Sequence, residues 1–585
     1  MERGKVEDKF ISFQDYTFQY RAQSEPTLKH INLDIKKGER IVIIGASGSG
    51  KSTIAHSLNG LIPFSYPGES TGTLTICGKE VKTLSIFELS QYVGTVLQDT
   101  DGQFIGMTVL EDIAFSMENN CVPQDEMIQK TREEAVKVQI LEKLDASPHQ
   151  LSGGQKQRVS LAGILVNNVP ILLFDEPLAN LDPYAGKKSI ELIDQIQKQT
   201  DTTVILIEHR LEDALHMGAD RIILMEDGAI IADEPPSVLF ASEKLKEAGI
   251  REPLYITALK YGGCMLEPSM KLEKIQDLLL EEEQKKQMRQ WFFYRKKEKK
   301  EEEKQVILSV EDIHFGYTEE KENLSHISFT VKEGEMISIV GKNGAGKSTM
   351  AKLLCGFEKL EKGKICIRGR DIRGDTIKER AKQIGYVMQN PNQMISKPMV
   401  YEEVAMGLLI QKRPEEEIKK KVEEKLKICG IYQFRNWPIS ALSYGQKKRV
   451  TIASILVEEP DILILDEPTA GQDFRHYTEI MEFLKSLNEK GITVLMITHD
   501  MHLILEYTNR SLVFADGKLL ADTTPAKLFG NLELIKKASL KETSLYELAK
   551  QCGLDGKDFI EWFIEYDKEM RNKWQRPLHT SKENL

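Results

Sequence analysis

Short, mostly apolar runs recur along this chain, and each stops at a cluster of glycines or charged residues. Ile41-Val42-Ile43-Ile44 and Met336-Ile337-Ser338-Ile339-Val340 are two of them, and helical patterns follow over 53–58 and 349–354. Such runs are the length of strands, and their lack of polar alternation predicts strands buried on both faces, as in a parallel sheet. Ahead of the first run the pattern alternates instead, with Phe13, Tyr16, Phe18 and Tyr20 two or three positions apart. That spacing predicts strands with one covered face. A further helical run is expected over 156–166. Buried strands interleaved with helices predict an α/β fold. No apolar run approaches the roughly 20 residues that a membrane helix requires.

The segments after the first two runs carry the chemistry. Gly45-Ala46-Ser47-Gly48-Ser49-Gly50-Lys51-Ser52, with Thr53 next, and Gly341-Lys342-Asn343-Gly344-Ala345-Gly346-Lys347-Ser348, with Thr349 next, both fit G-x-x-x-x-G-K-[ST]. This is the phosphate-binding loop, and both copies have the strand before and the helix after that the motif demands. Glycines let backbone N–H groups converge on phosphate oxygens, and the helix N-terminus adds partial positive charge. Lys51 and Lys347 are expected to reach the β- and γ-phosphates of a nucleoside triphosphate, with Ser52 and Ser348 as Mg²⁺ ligands.

Four more signals occur in each half, in the same order. Gln98 and Gln389 end apolar runs. Leu151-Ser152-Gly153-Gly154-Gln155 and Leu442-Ser443-Tyr444-Gly445-Gln446 open helices, where a serine hydroxyl and free N–H groups can meet an anion. Two apolar runs end in paired carboxylates, Asp175-Glu176 and Asp466-Glu467. A parallel strand delivers such groups to its C-terminal edge, where the aspartate can hold Mg²⁺ and the glutamate can polarise a water. Two more runs end in His209 and His499. Tyr20 and Tyr317, upstream of the loops, can either stack on an adenine ring or pack as core strand aromatics.

The register ties these signals together. The copies lie 296 positions apart at Gly45 and Gly341, 291 at Ser152 and Ser443, 291 at Asp175 and Asp466, and 290 at His209 and His499. The chain is therefore an internal duplication with small insertions between motifs. Leu254-Tyr255 and Leu545-Tyr546, also 291 apart, carry the repeat into helical segments beyond each core. The expected organisation is a loose N-terminus over 1–9, a first domain over 10–250, and a helical and charged linker over 251–305. A second domain over 306–530 and a C-terminal helical segment over 531–585 complete it. Within the linker, Trp291-Phe292-Phe293-Tyr294 is expected to dock onto a neighbouring domain.

Composition narrows the function. A net charge of −11 over 585 residues argues against nucleic acid as the partner. The seven cysteines form no C-x-x-C pair, so neither a zinc site nor a disulfide framework is suggested. A reduced compartment fits best, and the N-terminus shows no secretory signal.

Phosphate loop, glutamine, L-S-G-G-Q, Asp-Glu and histidine, in that order, resemble the ATPase domains of ABC transporters, over roughly 10–240 and 306–530. The closer likeness is to the tandem ATP-binding subunits of energy-coupling factor importers. It rests on the stretches after each glutamine, Gln103-Phe104-Ile105-Gly106-Met107-Thr108 and Gln393-Met394 onward. The resemblance implies two ABC-type domains, each with a mixed sheet core and a helical subdomain. It implies ATP as substrate with Mg²⁺ held by Ser52, Gln98, Asp175, Ser348, Gln389 and Asp466. Glu176 and Glu467 would activate water, His209 and His499 would contact the γ-phosphate, and the two halves would pair with each other head to tail. The expected partners are a membrane-embedded coupling subunit, touched by the stretches after each glutamine, and a membrane subunit that captures a vitamin, vitamin precursor or metal ion. The expected place is the cytoplasmic face of the cell membrane. Tyr444 stands where the pattern has its first glycine, which puts one site's activity in doubt: bulk and a poor fit to φ > 0 are the expected reasons. The alternative from another class is a soluble tandem ATPase acting on the ribosome.

Overall fold

The computed structural model describes residues 9–97, 100–179, 181–294, 304–318 and 322–579. Gln98, the N-terminal residues up to 8 and most of the charged run after Tyr294 lie outside the described residues. The chain forms two compact units, one running up to Met288 and including 473–475, the other holding the remainder from Arg289 onward. Their boundary falls inside the helix Glu282–Phe293.

The first unit is built on a six-stranded sheet ordered Ala229–Glu234, Arg221–Glu226, Arg40–Gly45, Thr203–Ile207, Ile171–Asp175 and Val93–Val96. All neighbouring pairs run parallel except the first, so the sheet is mixed. The strands Arg40–Gly45 and Thr203–Ile207 are buried at every position. That is the outcome unbroken Ile/Val/Leu runs dictate, since water on either face would strand about 1.5–3 kcal/mol of burial per large side chain. A four-stranded antiparallel sheet of Leu28–Ile35, Ile11–Tyr20, Gly68–Ile76 and Lys79–Glu80 lies beside it. Its alternating residues Phe13, Tyr16 and Phe18 share one core with Ile41, Ile43, Ile54 and Leu58. Helix Lys51–Leu58, which opens at the phosphate loop, is thus clamped between the two sheets.

The second unit repeats this plan. Its six strands are ordered Ile384–Val387, Ile462–Asp466, Thr493–Ile497, Met336–Val340, Arg510–Ala515 and Lys518–Thr523, again with one antiparallel pair at the edge. Strands Leu324–Lys332, Val306–Phe315, Lys362–Ile367 and Arg370–Asp371 form its antiparallel sheet. Each unit also carries a helical group: Val109–Asn119, Gln124–Lys137 and Gly153–Leu165 in the first, Val400–Ile410, Glu415–Ile428 and Tyr444–Leu456 in the second. Both units are therefore α/β with a mixed sheet and a helical subdomain.

Helices continue past each core, through Leu254–Tyr261 in the first unit and through Ser544–Gln551 and Gly556–His579 in the second. Within the second unit, Trp291 meets Phe559, Trp562 and Tyr566 with ring centroids 5.8, 5.8 and 5.2 Å apart. Trp291 and Phe292 are buried, whereas Phe293 and Tyr294 face solvent. Only the first half of that aromatic cluster is used for packing.

Candidate active sites

In each unit the strand that carries the phosphate loop sits mid-sheet and releases the chain into a helix, Lys51–Leu58 or Lys347–Cys355. Two glycine positions explain the motif. Gly50 and Gly346 hold the left-handed φ of 99° that caps the helix. At Gly45 and Gly341 a Cβ would lie 2.4 and 2.0 Å from the carbonyl oxygens of Met225 and Phe514, closer than any side chain allows. Ser47, Gly48, Asn343 and Gly344 form an exposed crest, with Ala46 and Lys342 half-buried beside it. Ser49 and Ala345 are buried beneath, and the Ser49 Oγ has no hydrogen-bond partner among the described residues.

Lys51 donates to the carbonyls of Gly45 and Ala46, each at 2.9 Å, and Lys347 to those of Gly341 and Lys342 at 2.7 and 3.0 Å. Both ammonium groups are thus drawn over the loop, where a phosphate would lie. Burial lowers the pKa of Lys51, so an incoming anion meets a poorly hydrated cation. Ser52 and Ser348 are exposed at the first helical turn. Thr53 is buried and its Oγ1 lies 3.1 Å from the Tyr20 hydroxyl, whereas Thr349 is half-buried.

Strands Ile171–Asp175 and Ile462–Asp466 bring their carboxylates to the same sheet edge. Glu176 and Glu467 then take φ of 48° and 45°, a turn that aims each side chain back over the strand end. The next strand supplies the histidine. His209 Nε2 lies 2.8 Å from Glu176 Oε1, and His499 Nδ1 lies 2.7 Å from Glu467 Oε1. Burial pushes Glu176 upward, but the His209 contact and charge together with Lys51 hold it below its ordinary range.

The aspartates differ. Asp175 Oδ1 is buried without a hydrogen-bond partner among the described residues, and burial with the adjacent Glu176 raises its pKa to about 6. Asp466 Oδ2 accepts from the Tyr386 hydroxyl at 2.9 Å and from Ser348 Oγ at 3.2 Å. An orphaned buried carboxylate oxygen, with a serine hydroxyl on the adjacent helix, suits a hard cation that takes oxygen ligands. Mg²⁺ therefore fits the donor set. Gln389, the remaining candidate ligand in the second unit, is exposed, and its counterpart Gln98 lies outside the described residues.

Ser152 and Ser443 cap helices Gly153–Leu165 and Tyr444–Leu456 through capping boxes with Gln155 and Gln446. Each hydroxyl accepts from its own helix and keeps its proton to donate outward. Gly153, Gly154 and Gly445 sit in the first turn, and none has positive φ. The same holds for Tyr444, which corrects the expectation that φ would penalise tyrosine there. Its hydroxyl donates to the Gln389 carbonyl at 3.0 Å.

Two further expectations shift. Gln103 turns inward, accepting from the Leu97 N–H and donating to the Thr95 carbonyl, both at 3.2 Å. In the second unit Met394 takes that place, its sulfur accepting from the Met388 N–H. Phe104 is half-buried, while Ile105 and Met107 are 65% and 85% exposed. The outward apolar pair in this stretch is therefore Ile105 and Met107. Tyr20 packs against the core and stands edge-on to Phe18, whereas Tyr317 is half exposed.

Lys448 was not singled out by its motif. It is 1% exposed, donates to the carbonyls of Met388 and Gln389 at 3.2 and 2.8 Å, and has its pKa lowered by burial to about 8. Its only sequence signal was its place three and four positions ahead of Thr451 and Ile452 on the helix, and the first half has Gln157 there.

A phosphate loop, a carboxylate pair and a histidine gathered at one sheet edge, twice over, define a duplicated P-loop ATPase. The chain belongs to the ABC transporter family: the family model described as "ABC transporter" matches residues 28–179 and 324–470. A second model, described as "ATP-binding cassette cobalt transporter", matches 242–315. An ABC transporter ATP-binding protein of Clostridium perfringens is 57% identical over 98% of this chain and 100% of its own length. Similar proteins of Enterococcus faecalis and Staphylococcus aureus are 55% and 49% identical, covering 96% and 97% of this chain and 99% and 100% of theirs. A solved structure of cbiO1 from C. perfringens, described as part of the ABC transporter complex cbiONQ, is 37% identical. It covers 40% of this chain and 94% of its own, with a TM-score of 0.37. The chain is thus an ABC-type ATPase with two ATP-binding domains, and the ribosome-acting alternative finds no support among these relatives.

Proposed function

We propose that this chain is the ATP-hydrolysing subunit of an energy-coupling factor type importer. It works at the cytoplasmic face of the cell membrane on a separate membrane-embedded coupling subunit, and a second membrane subunit captures the cargo. The cargo is a vitamin, a vitamin precursor or a metal ion. The match over 242–315 to a cobalt-transporter family supports this. Among the described residues no helix is long and apolar enough to cross a membrane, and in this reading the partners supply the spans.

The observation that carries the chemistry is the Glu–His pair, held at 2.8 and 2.7 Å in the two units. Lys51 and Lys347, with the N–H groups of residues 46–50 and 342–346, hold the triphosphate. Ser152, Gly153, Gly154, Gln155, Ser443, Gly445 and Gln446 offer hydroxyl and backbone donors to the same anion. Ser52, Asp175 and Gln98, and likewise Ser348, Asp466 and Gln389, would hold Mg²⁺, which when bound neutralises charge on the phosphate oxygens. Glu176 and Glu467 take the proton of the attacking water, and His209 and His499 orient those carboxylates and reach the γ-phosphate. Tyr317, half exposed, can flank the adenine in the second unit, whereas Tyr20 packs against the core.

Changing Glu176 and Glu467 together to Gln should lower steady-state ATP hydrolysis by about 10²-fold or more, with binding of a fluorescent ATP analogue retained. Turnover near that of the unaltered protein would refute the assignment. For the partner, Ile105→Asp with Met107→Asp should stop uptake by the reconstituted importer while leaving basal ATP hydrolysis in place. Unchanged uptake would rule this surface out.

A further inference from the structure

On the antiparallel sheet of the second unit, two histidines and a carboxylate converge. Asp312 and His314 lie on strand Val306–Phe315, and His326 lies on its neighbour Leu324–Lys332. Asp312 Oδ1 is 2.8 Å from His326 Nδ1 and 3.4 Å from His314 Nε2. One ligand atom from each residue lies within 4.8 Å of the others, and the two imidazoles stand edge-on with centroids 4.2 Å apart. The other nitrogen of His314, Nδ1, is 2.6 Å from Glu322 Oε1.

The first unit shows which part of this is ordinary strand architecture. There Asp15 and His30 adopt the same left-handed φ as Asp312 and His326, and pair at 2.7 Å. An Asp–His pair at this irregularity thus belongs to the duplicated fold. At the place of His314, however, the first unit has Thr17, whose hydroxyl accepts from the His30 N–H. His314, with Glu322 on its Nδ1, stands in the second unit where the first has Thr17.

We propose that Asp312 Oδ1, His314 Nε2 and His326 Nδ1 form a binding site for a divalent transition-metal ion, with Glu322 orienting His314. Two imidazoles and one carboxylate are a donor set for zinc, cobalt or nickel, and they leave a fourth position for water. With metal–ligand bonds of about 2.0–2.2 Å, tetrahedral ligand atoms lie about 3.3–3.5 Å apart. The 3.4 Å between Asp312 and His314 already matches that spacing. Asp312 and His326, both exposed, would part from 2.8 Å to that spacing as they exchange their hydrogen bond for metal bonds. Glu322 supplies the carboxylate–histidine contact that fixes tautomer and ring orientation at such sites. Glu322 also adjoins Asn323, whose Oδ1 accepts from the Tyr317 N–H at 3.1 Å. The ion would therefore hold Glu322 beside Asn323, which meets the Tyr317 backbone.

The test titrates nucleotide-free, chelator-treated full-length protein with Co²⁺, read by its visible d–d bands, and with Zn²⁺ by calorimetry. One equivalent should bind with micromolar or tighter affinity and a tetrahedral Co²⁺ spectrum. His314→Ala and His326→Ala should each weaken that equivalent by more than about 100-fold, and Glu322→Gln by about 10–100-fold. His30→Ala, in the first unit, should leave it intact, and unchanged far-UV circular dichroism would show the variants folded. Absence of such an equivalent, or binding that survives both His314→Ala and His326→Ala, overturns the site.

Discussion

The two halves answer one demand, a carboxylate pair at a buried strand end, with different supporting groups. In the first unit Asp175 keeps an oxygen with no hydrogen-bond partner among the described residues, and Glu208, just before His209, is buried and accepts from the Leu178 N–H. In the second, Tyr386 and Ser348 donate to Asp466, and Thr498, next to His499, lies 3.4 Å from Glu467 Oε2. Lys448 and Tyr444 also both donate to the Gln389 carbonyl, so the helix they share is tied to the strand end. The Glu–His separation hardly changes between units, although His209 uses Nε2 and His499 uses Nδ1; what varies more is how the surrounding polar groups are satisfied. The second unit meets the cost of burying its aspartate with two donors, whereas the first leaves one Asp175 oxygen unmet.

The largest effect tests whether the shared part is equal. With both Glu–His pairs intact and Tyr444 at an ordinary φ, Glu176→Gln and Glu467→Gln, made singly, should lower ATP hydrolysis to similar extents, within about threefold of each other. A much larger loss from one of them, measured at saturating Mg–ATP, would show that the supporting groups set the rates.

Asp175 offers the sharpest contrast in stability. Its folded pKa, raised to about 6, lies above the value of roughly 3.9 that an unfolded chain gives an aspartate. The folded state therefore binds this proton more tightly, and stability falls as pH rises from about 4 to about 6. Above that range the full cost of the buried charge is present. Asp175→Asn should stabilise the nucleotide-free protein near pH 8 by up to about 3 kcal/mol, with the gain fading near pH 4. Asp466→Asn should gain less, because Tyr386 and Ser348 already meet its oxygen. Equal gains in thermal melts would erase the distinction.

Tyr386→Phe should make the second unit resemble the first. Losing a hydrogen bond to a carboxylate costs about 1.5 kcal/mol, and the stabilisation by Mg–nucleotide should grow because Asp466 is freed. A melt unchanged with and without nucleotide would show that this hydroxyl carries no weight.

The smallest effect concerns Tyr444. Tyr444→Phe removes one exposed hydrogen bond, worth about 0.5–1 kcal/mol. Tyr444→Gly should not raise ATP hydrolysis, since the position needs no left-handed φ and glycine weakens a helix by up to about 1 kcal/mol. A clear rise in rate would mean that the ring obstructs the nucleotide.

The duplication, the phosphate loops, the carboxylate pairs and the histidines were legible in the sequence because their chemistry is local. Each motif is a few residues at a strand end, and the strand is named by its own mostly apolar run. The backbone reason for Gly45 lay elsewhere, in a Met225 carbonyl 180 positions away that leaves no room for a Cβ. Residues far apart in sequence also decided the fate of Tyr444, 55 positions from the Gln389 carbonyl it meets, and of Asp175, whereas Gln103 is satisfied within its own stretch by Leu97 and Thr95. Whether a side chain bonds a carbonyl on another strand, or finds no donor at all, follows from how strands order across the sheet. The cluster of Asp312, His314 and His326 was invisible for the same reason: its ligands sit on two antiparallel strands, and only their register brings the rings to 4.2 Å. Apolar periodicity encodes which strands are buried, but tertiary pairing alone settles which polar groups end up facing one another.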